Sequence, residues 1–156
     1  MTFTSTFDPL RLPRVLAFLA LLAVCGVLLA DAGMRTLQLR IDKHALKVEV
    51  AENDAQRARG LMFREKLGRN DGMLFIFEEP AYQSMWMKNT PLPLSVAFLD
   101  RDGVILNIRD MEPRTLDTHT SAGPAVYAIE TNKGWFAERG IKAGAKVAGL
   151  PALRSR

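Results

Sequence analysis

Cysteine is almost missing from this chain of 156 residues: Cys25 alone carries a thiol, and it lies inside an apolar N-terminal run. That excludes a disulfide framework and a structural zinc site built from thiolates. No helix carries a His-Glu-x-x-His pair, and no glycine-rich loop stands ready to cradle phosphate. Internal repeats, low-complexity tracts and domain linkers are absent too, which points to one ordinary domain. With no covalent or metal staple, burial of apolar surface must carry the fold. Nor is there a basic run interleaved with aromatics. The net charge is +4, but the cations are spread, with only a mild cluster at Arg57, Arg59, Arg64, Lys66 and Arg69. A nucleic-acid partner is therefore set aside, and a weak preference for anionic ligands or envelope surfaces is left.

What is present begins with an address. Arg11 and Arg14 form a positive leader, Val15 to Ala30 is an apolar run without charge, and Ala30-Asp31-Ala32 offers small residues where a signal peptidase reads. The run falls short of the roughly 20 residues that a spanning helix needs. The pattern predicts a signal peptide over 1–32, cleaved after Ala32, and a periplasmic or secreted domain over 33–156 with no stable membrane insertion. A retained anchor is the first alternative. Lipidation is the second, because Leu22-Ala23-Val24-Cys25 is similar to a lipoprotein box, with Val24 where a small residue is usual.

Past that segment, short apolar stretches alternate with turn residues. Leu37, Leu39 and Ile41, then Leu46, Val48 and Val50, alternate with polar residues as half-buried strands joined through Asp42-Lys43-His44. Asn53 can cap a short helix over 54–59 that Gly60 ends. Met73 to Phe77 is a continuous apolar run suited to a strand covered on both faces, stopped by Glu78-Glu79-Pro80. Further strands are expected over 83–88, 94–98, 104–108, 125–130 and 146–148. A hairpin loop is expected at Asp100-Arg101-Asp102-Gly103, and a helical turn over 134–139. The architecture implied is mainly β: a single-domain, jelly-roll-like β-sandwich or partly closed barrel with two short helices.

Certain residues go beyond what a core requires. Arg59-Gly60-Leu61-Met62-Phe63-Arg64, Gly72-Met73-Leu74-Phe75, Met85-Trp86-Met87-Lys88-Asn89-Thr90, Phe98-Leu99-Asp100 and Ile129-Glu130 follow one another in an order that resembles the "domain of unknown function 192" family of small bacterial and archaeal proteins. The resemblance runs from about Leu37 to Leu150. It implies a compact jelly-roll-like β domain, and it implies no activity, since the family is named for lacking one. Two positions depart from the family pattern. Ser95 stands where Pro-Leu-Asp is usual, and Ala145 follows Gly144 where Gly-Asp is common. Both departures weaken any chemistry that would use those carboxylates.

The candidate ligand-binding residues are Arg64, Trp86, Lys88, Asn89, Thr90 and Glu130, expected to converge on one polar and aromatic patch. On a strand, Trp86, Lys88 and Thr90 would face one way, and Met85, Met87 and Asn89 the other. Trp86 beside Lys88 would offer a flat plane with a polar rim for a sugar ring. The structural alternative has Trp86 filling the core and Asn89-Thr90 only shaping the turn before Pro91. Arg59 and Arg64 could fork onto a carboxylate or phosphate, or pair with Glu130 or Asp100. Glu130, ending an apolar strand, must pair, reach solvent or shift its pKa.

The function expected is a non-catalytic binding or accessory module of the cell envelope, monomeric, taking a carbohydrate or small anionic ligand, with no cofactor and no metal. One alternative is an enzyme, hydrolytic in class, using Glu130 with Arg64 or Lys88. Another is a Cu(I) protein built on Met62, Met73, Met85 and Met87, capped by Trp86 and assisted by His44 or His119. Asp117, His119 and Ser121 sit in a loop-like stretch at a spacing that makes no catalytic triad.

Overall fold

The computed structural model describes residues 33–153. The expected signal peptide, its cleavage after Ala32 and the Cys25 box lie outside them. The described strands are β1 (Thr36–Ile41), β2 (His44–Ala51), β3 (Asp71–Ala81), β4 (Ser84–Met85), β5 (Leu94–Leu99), β6 (Ile105–Met111), β7 (His119–Thr120), β8 (Ala125–Asn132) and β9 (Val147–Ala148). Two short helices are α1 (Asp54–Arg59) and α2 (Trp135–Glu138).

Seven strands form one sheet in the order β6-β5-β8-β3-β2-β1-β9, and β4 pairs with β7 in a small second sheet. All ladder pairs are antiparallel except β2 with β3, which the α1 crossover makes parallel. The large sheet curls into a half-barrel. Its two edges are tied together where Ile105 N–H donates to Ala145 O at 2.9 Å and Val147 N–H donates to Gly103 O at 2.9 Å. An isolated bridge between Val104 and Lys146 lies at the same place. The mainly β, partly closed architecture implied by alternating apolar residues is the one the chain adopts.

Period-two patterning sorts the side chains onto two faces. Leu74, Ala97, Leu99, Tyr127 and Ile129 pack with Trp135 and Phe136 on one. Met73, Phe75, Val96, Phe98 and Ala128 pack with Leu61 and Met87 on the other. The second face is covered by loops rather than by a second large sheet, and this is where a cavity can form.

Local chemistry sets the elements. Asn53 caps α1 by accepting from Gln56 N–H at 2.9 Å, and the Gln56 side chain accepts from Glu52 N–H at 3.0 Å, a variant of the capping box. Arg57 then donates to Ile76 O at 2.8 Å and pins the helix to β3. Asp100 Oδ1 accepts from Asp102 and Val104 N–H, both at 2.9 Å, so the expected hairpin loop closes on an aspartate, with Gly103 at φ +77°.

Three expectations are corrected. β3 does not stop at Pro80 but runs to Ala81 with a register shift after Ile76, where an irregular ladder spares the missing proline N–H. The strand expected over 83–88 is only Ser84–Met85, because the chain leaves the sheet and turns at Asn89, φ +55°. Its partner, His119–Thr120, gave no strand signal at all.

Gly72 shows how tightly β3 lies on β8: a Cβ there would stand 2.4 Å from Glu130 O. Gly72→Ala is expected to cost about 2 kcal/mol or more, read as a lower guanidinium midpoint. An unchanged midpoint would show that the two strands can part.

Candidate functional site

Glu130 sits on β8, the strand between β3 and β5, with Met73 and Val96 as its register partners. Both flanks are apolar, and the loops that carry Leu61 and Met87 cover the same face. The residue is only 4% exposed, and no hydrogen bond or ion pair holds its carboxyl among the described residues. Burial pushes its pKa up to about 8. Near neutral pH the group is therefore a neutral acid that can donate a hydrogen bond.

The carboxyl opens on a cavity of about 190 Å³. Arg57 and Arg59 form one side, Phe75 and Phe77 the sheet side, and Met62, Met85, Trp86 and Thr90 the cover. Trp86 is half exposed, and the Lys88 ammonium rests 5.3 Å from the centre of its ring. Arg57 is held by Ile76 O and by Asp54. Arg59 is exposed, with no side-chain partner among the described residues.

The structure divides the six residues expected at one patch. Trp86, Thr90 and Glu130 line this cavity. Lys88 and Asn89 line a neighbouring open concavity of about 630 Å³, with Phe63, Glu65, Pro91, Arg114 and Leu116. Arg64 belongs to neither, since its guanidinium bonds Glu49 on β2 at 2.5 Å. The facing expected from a continuous strand fails at Asn89. Trp86 and Lys88 point outward as expected, but the turn buries Thr90 and exposes Asn89. Thr90 Oγ1 donates to Lys88 O at 3.2 Å, so its hydroxyl serves the turn.

Glu130 therefore pairs with neither Arg64 nor Lys88, and the catalytic pairing weighed from the sequence is not formed. Of the methionines weighed for Cu(I), Met73 and Met87 are sealed in the core, leaving Met62 and Met85 beside two arginines whose charge opposes a metal cation. His119 stands across from Met85 with a buried Nε2 that lacks a partner. Among the described residues no three His, Cys, Asp or Glu side chains gather as a metal site. Ser121 Oγ accepts from Gln83 N–H and donates to Gly123 O, so it is no nucleophile.

Sequence reasoning weighed Arg59 but missed Arg57, Phe77 and Ser84. For Arg57 and Phe77 the signal lay in the β2–α1–β3 crossover, which lays α1 against β3, whereas Ser84 on β4 gave none. The departures at 95 and 145 leave the cavity untouched. Ser95 points to the other face of β5, donating to Asp110 Oδ1 at 2.5 Å and accepting from Gly134 N–H at 2.9 Å. Ala145 packs at the barrel seam. A third concavity, about 650 Å³ between the 100–103 loop and residues 149–153, holds none of the expected residues.

The family model DUF192, described as "Uncharacterized ACR, COG1430", matches residues 37–149. A crystal structure from Sinorhizobium meliloti 1021, named a "putative transcription regulator", superposes with a TM-score of 0.74 at 34% identity, covering 76% of this chain and 97% of that one. A protein of unknown function from Novosphingobium aromaticivorans DSM 12444 gives 0.72 at 33% identity, covering 76% of this chain and 88% of that one. Among curated proteins none matches.

The buried acid makes a pH prediction. Below its unfolded pKa of 4.5 the carboxyl is protonated in both states and adds no pH dependence. Between 4.5 and about 8 the folded state holds a proton that the unfolded chain has lost, so stability falls as pH rises, and it levels off above 8. The total loss is on the order of 5 kcal/mol. Glu130→Gln should remove this decline, matching the parent near pH 4.5 and exceeding it above pH 8. Parallel stability curves for the two proteins would refute the assignment.

Proposed function

Since this chain belongs to the DUF192 family, which carries no assigned activity, we propose its function from its own cavity: an exported binding module that takes one small ligand bearing hydroxyl and carboxylate groups, a sugar acid in class. The observation that carries the reading is the buried, unpartnered Glu130 carboxyl opening into a cavity beneath Trp86. A polar group kept out of water without a partner is costly, and a ligand oxygen supplies the missing bond. Protonated, Glu130 donates to that oxygen without repelling an anion. The exposed part of the indole matches the C–H face of a pyranose, and Arg59 is free to meet a carboxylate. A volume of about 190 Å³ is below the roughly 300–1,000 Å³ of drug-sized sites, which favours a single ring. The hydrolytic reading has less support, because Arg64 and Lys88 lie outside this cavity. A nucleic-acid role is not proposed, because the cations are scattered and several are paired.

Titrating glucuronate or galacturonate at pH 6.5 should change Trp86 emission, with Trp135, buried in the core, as a constant background. Trp86→Ala should weaken binding about tenfold or more, near 1.4 kcal/mol. Affinity should drop above pH 8, where Glu130 becomes an anion. No calorimetric heat with either acid, or with their neutral hexoses, would end this reading.

Export rests on the leader pattern of residues 1–32, and no helix among the described residues is long and apolar enough to cross a membrane. The processed protein should begin at Gly33 by intact mass. A mass that retains Cys25 with an acyl chain would replace a free protein with a lipid-anchored one.

A further inference from the structure

Four non-glycine residues of the described chain hold φ in the left-handed region: Asp42, Phe63, Asn89 and Arg114. Asp42 turns the β1–β2 hairpin. The other three, at φ +63°, +55° and +60°, all line the 630 Å³ concavity beside the Glu130 cavity. They come from three separate segments, stapled by backbone bonds. Phe63 N–H donates to Asn89 O at 2.8 Å, Arg114 N–H to Thr90 O at 3.0 Å, and Met87 N–H to Thr115 O at 3.2 Å. Asparagine takes this conformation at little cost, but a phenylalanine and an arginine do not.

The backbone bonds hold these turns, but the Phe63 and Arg114 side chains add no hydrogen bond or ion pair among the described residues. Phe63 is 71% exposed and Leu116, on the same concavity, 65%. The strained backbone presents a large apolar pair to water and holds it rigid. Two cations rim the pair. The side chains of Lys88 and Arg114 make no ion pair or hydrogen bond among the described residues, the Lys88 ammonium standing over the Trp86 ring. A single carboxylate, Glu65, shares the concavity. Apolar anchors within an unneutralised cationic rim complement a peptide of opposite sign. We propose that this face docks an acidic segment of a partner protein, seating one of its apolar side chains against Phe63 and Leu116 while its carboxylates meet Lys88 and Arg114.

The site is separate from the sugar-acid cavity and does not depend on it. A polyanionic glycan fits less well, because beside the Phe63 ring stands the branched aliphatic Leu116, which a sugar's hydroxyls do not match. A lipid surface fits less well, because Glu65 stands among the cations.

The test is to pan a random-peptide display library against the full chain. Enriched peptides should carry Asp or Glu around an apolar residue, and their binding should weaken as salt is raised. Lys88→Gln with Arg114→Gln, and separately Phe63→Gly, should each weaken them about tenfold. Glu65→Gln should strengthen them. Phe63→Gly should keep or raise the melting temperature, since glycine is at ease at that φ. The proposal is overturned by enrichment of basic peptides, by no enrichment, or by peptides that bind the variants as well as the parent. It is also overturned if Phe63→Gly lowers the melting temperature, or if polygalacturonate binds there and is lost with the same substitutions.

Discussion

A carboxyl on an interior strand of a curled sheet has nowhere to go. β8 is hydrogen-bonded to β3 on one side and β5 on the other, so its backbone cannot slide to carry Glu130 toward water. The closeness of β3 at Gly72 removes the remaining slack. Apolar residues occupy both cross-strand positions, and the cover is built from Met62, Met85, Trp86 and Thr90. With charge unaffordable and position fixed, the group stays a neutral acid over most of the physiological range. The small cavity, its preference for an oxygen acceptor and its pH range follow from that placement.

The half-barrel makes the placement possible. A two-sheet sandwich would fill the Glu130 face with a facing sheet. Here the edges of one sheet meet through residues 103–105 and 145–147, and the face is covered by loops. Loops leave gaps, and they carry side chains in directions that strands cannot. The two positions that depart from the family pattern lie on the other side of this division, Ser95 joining β5 and β6 to the start of α2 and Ala145 lying at the seam. They bear on how the barrel holds together, not on what the cavity accepts.

The strands of the sheet could be read from the sequence because β1, β2 and β5 alternate and β3 and β8 carry unbroken apolar runs, and α1 because Asn53 and Gly60 punctuate it. The five apolar residues before Glu130 mark a buried strand but leave open whether its carboxyl pairs, reaches solvent or shifts its pKa, and only its register against Met73 and Val96 decides that. The segment after β4 could not be read, since Met85 to Thr90 alternates well enough to pass for a strand. Asn89-Thr90 before Pro91 offers a turn as the alternative reading, but nothing local announces the partner that fixes it, the Phe63 N–H distant in sequence. For the same reason the expected single patch divides in two. Arg64 was drawn into it by proximity in the chain, whereas Glu49 across the parallel ladder claims its guanidinium.

The segments 61–64 and 86–90 thus form one ridge with two working sides. Leu61, Met62, Trp86 and Thr90 face the Glu130 cavity, while Phe63, Lys88 and Asn89 face the open concavity. A regular strand pair could divide its side chains this way, but it would need ladder partners along its length. The ridge instead uses left-handed turns, each closed by a specific backbone bond, and seats itself on the sheet through Leu61 and Met87. Gly60 marks how closely it sits, since a Cβ there would come within 3.3 Å of the Phe75 ring. Such a ridge has few alternative conformations, because loosening one turn breaks a bond that holds the next. Its rigidity lets a half-exposed indole and a mostly exposed phenylalanine stay apart in water instead of collapsing onto each other, and so keeps two neighbouring surfaces distinct on a domain this small.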